Sequence, residues 1–276
     1  MNKKAFEGIP NLNLNSDSFV LIAGPCVVED EDMPIYVAKK LKEITTKLGI
    51  PFIFKASYKK ANRTSADSFM GIGDEIALKV LDRTRKEINI PVLTDYHTPQ
   101  EAFLAAQYVD ILQVPAFLAR QTDLIQAGAQ TGKPLNIKKG QFMSGEAMKH
   151  AVEKAKRAGA TKVWLTERGT FFGYNDLVVD FRNIVIMRKF CDAVVYDCTH
   201  SVQQPSLPQG FSGGRREFVV PLARAALAIG VDALFMEVHP DPEMALSDAQ
   251  SQLPLTQVES ILSELVDVYK ALHRHV

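Results

Sequence analysis

ALFMEVHP, residues 233–240, is an apolar run with Glu237 and His239 set into it. An apolar stretch this short and dense reads as a strand buried on both faces, the pattern of a parallel sheet. Seven runs of the same kind precede it: FVLIAGP from Phe19, PFIFKAS from Pro51, PVLTDYH from Pro91, ILQVPA from Ile111, PLNIKKG from Pro134, KVWLTERG from Lys162 and AVVYDCTH from Ala193. Helical spacing fills the intervals, as at Ile35, Ala38, Leu41, Ile44 and Leu48, and again after the last run at Val258, Ile261, Leu262, Leu265, Val268 and Leu272. The alternation predicts an α/β fold, a (β/α)8 TIM barrel. Residues 1–276 read as a single catalytic barrel domain, with residues 1–18 as a short N-terminal extension over the end of the barrel opposite the site.

The 276 residues are 46% hydrophobic and 23% charged, enough for a large core. Lys and Arg number 32, as do Asp and Glu, so no global field draws the chain to nucleic acid or to an anionic membrane. No apolar stretch reaches membrane-spanning length and no secretory leader opens the chain, so a cytoplasmic location is expected. Three cysteines, Cys26, Cys191 and Cys198, are too few and too irregular for a disulfide framework, and each reads as a free thiol or a metal ligand.

The strand ends carry an anomaly. Lys55, Asp95, Lys138, Lys139, Arg168, Asp197, His200, Glu237 and His239 stand in or just beyond runs that should be apolar. Burying unpaired charge is expensive, so these groups need partners. Lys55, Lys60, Arg63, Lys138 and Arg168 together predict a local positive potential satisfied by phosphate and carboxylate ligands. Ser57, Asn62, Gln113 and Gln141 suit the remaining hydrogen-bond positions. Neither GxxxxGK[ST] nor a strand followed by GxGxxG occurs, which disfavours a nucleotide. Two long polar connections, residues 58–73 and 201–218, would lie at the C-terminal mouth, where barrel enzymes keep their sites. The second holds GFSGGRRE, which suits either a mobile lid or a plain connection.

These segments resemble a known family. GPCVVE at Gly24, FKASYKKANRTS at Phe54, LQVPAFLARQTDL at Leu112, NIKKGQF at Asn136, LTERGTFFGYNDLVVDFR at Leu165, YDCTHSVQ at Tyr196, SGGRREF at Ser212 and FMEVHPDPEMALSDAQSQLPL at Phe235 are similar to those of the 3-deoxy-D-manno-octulosonate 8-phosphate synthases. The resemblance implies condensation of phosphoenolpyruvate with D-arabinose 5-phosphate for lipopolysaccharide biosynthesis. KANRTS, in place of the KPRTS/T of the related 3-deoxy-D-arabino-heptulosonate 7-phosphate synthases, favours arabinose 5-phosphate over erythrose 4-phosphate. That second synthase and a catalytically silent sugar-phosphate-binding barrel are the competing readings. Lys59 stands where the family commonly has Asp, and Thr64 where it commonly has Ser.

By the same resemblance, phosphoenolpyruvate lies on Lys55, Ser57, Lys60, Gln113, Lys138 and Arg168, with Gln141 close by. The aldose lies on Asn62 and Asp95, and its phosphate on Arg63, Thr64 and Arg120 from a neighbouring subunit of a homotetramer. Lys60, Lys138, His200 and Asp95 carry the chemistry. Cys26, where the metal-independent branch has Asn, implies the metal-dependent branch, with His200, Glu237 and Asp248 as further ligands. A mixed thiolate, imidazole and carboxylate set suits Zn, Fe or Mn better than Mg. His239 is read as a spare or supporting group, and Cys191 and Cys198 as structural.

Overall fold

A computed structural model describes residues 1–15, 17–62, 68–171, 176–205 and 213–273. Arg63 and Thr64 lie outside the described residues. Each of the eight apolar runs forms a strand: β1 (Val20–Gly24), β2 (Phe52–Lys55), β3 (Val92–Asp95), β4 (Ile111–Val114), β5 (Leu135–Lys138), β6 (Val163–Glu167), β7 (Ala193–Asp197) and β8 (Ala233–His239). Every residue of these strands is buried. Neighbours pair in parallel in chain order, and β1 closes on β8 in the register Val20↔Ala233 to Gly24↔Glu237. The sheet is therefore a closed barrel without an edge.

Helices α1 (Met33–Leu48), α2 (Asp74–Ile88), α3 (Pro99–Ala105), α4 (Thr122–Gln130), α5 (Met148–Arg157), α6 (Arg182–Met187), α7 (Val219–Ile229) and α8 (Leu255–His273) follow the strands in turn and form the outer ring. In α1 the stripe Val37, Ala38, Leu41 and Thr45 is buried, and the helix stops at Gly49, whose left-handed φ of 68° lets its N–H close on the carbonyls of Thr45 and Thr46. One larger core lies between helices and barrel, and a smaller one fills the barrel's N-terminal end.

The N-terminal extension plugs that lower end, as the sequence predicts. Phe6 is fully buried, its ring 4.7 Å from that of Trp164, and Trp164 Nε1 donates to the Ala5 carbonyl at 3.1 Å. Asn2 N donates to Asp232 Oδ1 at 2.7 Å, fixing the first turn to the start of β8. Trp164→Ala would open a cavity beneath this plug. It should cost about 3–5 kcal/mol of folding stability, read from urea denaturation.

Candidate active site

The opposite end of the barrel is open. Lys55, Asp95, Lys138, Arg168 and His200 from or after five strands line a cavity of about 440 Å³, together with Lys60, Asn62, Gln113, Gln141 and Asp248. Strand alternation decides which charged residues reach it. Lys138 faces inward, its Nζ 3.9 Å from the centre of the Phe235 ring. Lys139, one residue on, faces outward and is fully buried. Its ammonium donates to the carbonyls of Met143 and Gly169 at 3.2 and 3.0 Å and to Thr170 Oγ1 at 3.1 Å, with Glu167 Oε1 at 3.5 Å. It is a tie between loops.

A chain of side chains crosses the barrel below the mouth. Thr166 Oγ1 donates to Asn136 Oδ1 at 2.8 Å, Asn136 Nδ2 to Gln113 Oε1 at 2.8 Å, and Gln113 Nε2 to Asp95 Oδ1. Ser57 Oγ donates to Asp95 Oδ2 at 2.5 Å and accepts from Lys60 Nζ at 3.0 Å. Each donor meets an acceptor, so the polar layer is satisfied in the apolar barrel. Burial opposes ionisation of Asp95, but Lys55, Lys60 and Lys138 outweigh it and hold this carboxyl well below the usual range. Asp95 is an anion here.

The cationic excess expected of Lys55, Lys60, Arg63, Lys138 and Arg168 is offset where the structure describes it. Lys55 Nζ pairs with Glu237 Oε1 at 2.8 Å and Lys138 Nζ with Asp197 Oδ2 at 2.6 Å. Among the described residues, Lys55, Lys60, Lys138 and Arg168 are thus matched in number by Asp95, Asp197, Glu237 and Asp248. The acids follow from the cost of burying ammonium and guanidinium groups alone. Arg168 keeps unused capacity: NH2 donates to Gln203 Oε1 at 3.1 Å, while buried Nε and NH1 have no partner among the described residues. Burial lowers the Lys138 pKa despite Asp197, which makes its proton easier to release.

Beside the cations lies a cluster of different chemistry. One ligand atom each from Cys26, Glu237 and Asp248 falls within 4.8 Å of the other two. Cys26 Sγ is 3.2 Å from Asp248 Oδ2 and 2.9 Å from Ser247 Oγ. His200 Nε2 lies 3.5 Å from Glu237 Oε1 and 3.8 Å from Asp248 Oδ2. Its other nitrogen, Nδ1, lies 2.8 Å from Asp197 Oδ2, the carboxylate–imidazole arrangement that orients a metal-binding histidine. Glu237 Oε2 is buried with no hydrogen-bond partner among the described residues, and Gln203 Nε2 donates to Asp248 Oδ1 at 3.0 Å. Soft and hard donors converging on one point, with a buried oxygen unsatisfied, fit a divalent transition-metal ion.

Local backbone makes this convergence possible. A Cβ on Gly24 would sit 2.1 Å from the Lys55 carbonyl oxygen, so only glycine lets β1 run this close to β2 and deliver Cys26. Asp248 has φ of 49°, a left-handed conformation that aspartate tolerates better than most residues. Burial and then Asp248 and Glu237 push the Cys26 thiol pKa well up, so a bound cation is what would favour its thiolate.

The remaining assignments separate. Gln141 and Asn62 line the cavity, whereas His239 is not among its lining residues and lies with Nε2 3.5 Å from Glu29 Oε2. Arg120 is exposed and lies instead along a separate surface depression with His150, Lys154 and Arg157. Cys191 and Cys198 lie outside the cluster, with burial raising both thiol pKa values. Sequence reasoning missed Asn136, Gln203, Ser247 and His97. Asn136 could have been found from parity, two residues before inward-facing Lys138; no sequence signal marked the others.

A closed (β/α)8 barrel with a polar, charge-lined mouth and an adjoining metal-competent cluster is an enzyme scaffold. The chain belongs to the DAHP synthetase I family, whose model matches residues 11–274. It is 53% identical over 256 residues to a 2-dehydro-3-deoxyphosphooctonate aldolase of Methylobacillus flagellatus, covering 92% of each chain. It is also 50% identical over 264 residues to the protein of that name in Cyanothece sp., covering 95% of this chain and 97% of the relative. No helix among the described residues is long and apolar enough to cross a membrane.

Proposed function

We propose that this protein condenses phosphoenolpyruvate with D-arabinose 5-phosphate and water, giving 3-deoxy-D-manno-octulosonate 8-phosphate and phosphate for lipopolysaccharide biosynthesis. One observation carries the reading: Lys60, Lys138 and Arg168, from three different strands or their connections, converge on a cavity that also holds Asn62, Gln113 and Asp95, the last bonded to Ser57. The relatives' shared name supports it.

Arg168, two of whose nitrogens have no partner among the described residues, and Lys55 hold phosphate and carboxylate; Ser57, Gln113 and Gln141 complete the phosphoenolpyruvate end. Asn62 and the ionised Asp95 take hydroxyls of the aldose, and Arg63 and Thr64 its phosphate. Carbon 3 of the enol attacks the aldehyde, forming the new C–C bond, while water adds at carbon 2. The hemiketal phosphate then breaks its C–O bond and releases phosphate. Lys60 stabilises the developing anions. Lys138, its proton loosened by burial and donated to Asp197, exchanges protons with the reacting oxygens. Cys26, His200, Glu237 and Asp248 would hold a divalent ion of the Zn, Fe or Mn kind, whose Lewis acidity supplies orientation of water and polarisation of the aldehyde end. A dication there would also restore the cationic excess that two polyanionic substrates need. In the direct test, phosphate release from phosphoenolpyruvate should require arabinose 5-phosphate and match it mole for mole. Release without the sugar, or none with it, contradicts the reading.

The proposal includes a cytoplasmic homotetramer in which Arg120 reaches a neighbour's aldose phosphate. Its exposure, away from its own chain's cavity, supports this. Mixing Arg120→Ala with Lys138→Ala subunits should restore partial activity once subunits exchange, because some sites then carry neither lesion. Demonstrated exchange without restoration places Arg120 in its own subunit's site or outside catalysis.

A further inference from the structure

We propose that Glu101 is a positioning residue for the aldose end of the cavity, bracing the segment after β2 against the segment after β3 through one carboxylate. The inference rests on the substrate reading above. The Thr-x-x-Glu spacing from Thr98 to Glu101 is that of a capping box, in which the glutamate turns back to the N-cap's own N–H. Half of that box is present: Thr98 is the N-cap of α3, and its hydroxyl accepts from Glu101 N at 3.2 Å. The carboxylate goes elsewhere. Its Oε2 accepts from Tyr58 OH at 2.5 Å and from His97 N at 2.9 Å, and lies 3.2 Å from His97 Nδ1. Its Oε1 accepts from Lys59 Nζ at 2.8 Å, and Lys59 Nζ also reaches Asp74 Oδ2 at 2.9 Å.

The anchored residues border the site. Tyr58 and Lys59 immediately precede Lys60, and Lys60 and Asn62 line the cavity, as does His97. Tyr58 is fully buried, so its hydroxyl needs a partner, and Glu101 supplies it. Burial disfavours the carboxylate, but bonds from His97, Lys59 and Tyr58 overcome this and hold its pKa below the usual range. The brace is therefore charge-assisted at each leg. One anion thus ties Tyr58 and Lys59, which lead into Lys60 and Asn62, to His97, while Lys138 and Arg168 make no bond to it.

Glu101→Ala should raise KM for arabinose 5-phosphate roughly tenfold or more, with a several-fold smaller rise in KM for phosphoenolpyruvate, because Ser57 and Lys60 flank the anchored residues while Lys138 and Arg168 stay in place. Thr98→Ala, which removes the cap and leaves the carboxylate bonds, should leave both constants near wild type. Glu101→Gln, which keeps the shape and one acceptor, should fall between, and it carries the test if the alanine variant does not fold. In the absence of substrate, trypsin should cut after Lys60 faster in Glu101→Ala than in Thr98→Ala. Equal changes in both KM values, or identical behaviour of the Thr98 and Glu101 variants, would mean that Glu101 serves only the helix cap. A wild-type protein without turnover overturns the substrate reading, and the proteolysis comparison then decides the brace alone.

Discussion

Prolonged treatment with a strong chelator should abolish turnover, and adding back Mn, Fe, Co or Zn ions should restore it to differing extents. The expectation follows from Cys26, Glu237 and Asp248, whose ligand atoms lie within 4.8 Å of one another, and from His200, oriented toward them by Asp197. Thiolate and neutral imidazole are the metal-competent forms, so occupancy should fall as pH falls. Cys26→Ala should lose both metal and rate. Cys26→Asn should lose the metal yet keep measurable turnover, because an amide fills the space and can hydrogen-bond to water or substrate. Metal content and rate must be read on the same sample. Protein verified as metal-free that turns over as fast as untreated protein would make Cys26 a buried thiol and nothing more.

Lys138→Met should lower kcat by about 10²–10³-fold, the usual cost of removing one preorganised group that stabilises transition-state charge. Methionine keeps an apolar stem against Phe235, whose ring centre lies 3.9 Å from the lysine nitrogen. Asp197 would lose its ammonium partner at 2.6 Å but retain His200 Nδ1 at 2.8 Å and the His200 N–H at 2.9 Å. The fold should therefore survive, with thermal unfolding as the control. A loss confined to KM for phosphoenolpyruvate, with kcat intact, would make Lys138 a binding group only.

The barrel was legible because each strand is a short apolar run with turn residues or charge at its end, and burial on both faces leaves no other reading of eight such runs. The N-terminal plug was legible in outline, although Phe6 and Trp164 do not announce each other in sequence. Lys138 and Lys139 look alike as neighbouring charges, yet alternation sends one to the cavity and the other to the carbonyls of Met143 and Gly169. The partners of the cations were hidden for a related reason: Lys55 and Glu237 stand 182 positions apart and meet only because β1 closes on β8. Barrel closure likewise brings Cys26 to Asp248, 222 positions away. No local spacing marks that cluster, and only the resemblance pointed to it. Glu101 carries no sequence mark of its role, since a Thr-x-x-Glu spacing is satisfied by a local helix cap.

The acceptor preference tests the proposed chemistry most directly. kcat/KM is measured with arabinose 5-phosphate and with erythrose 4-phosphate at saturating phosphoenolpyruvate, with the sugar acid product identified by mass. Arabinose 5-phosphate should give the higher value and an eight-carbon product with one phosphate released per turnover. A higher kcat/KM with erythrose 4-phosphate, or no condensation product from either sugar, would contradict the assignment.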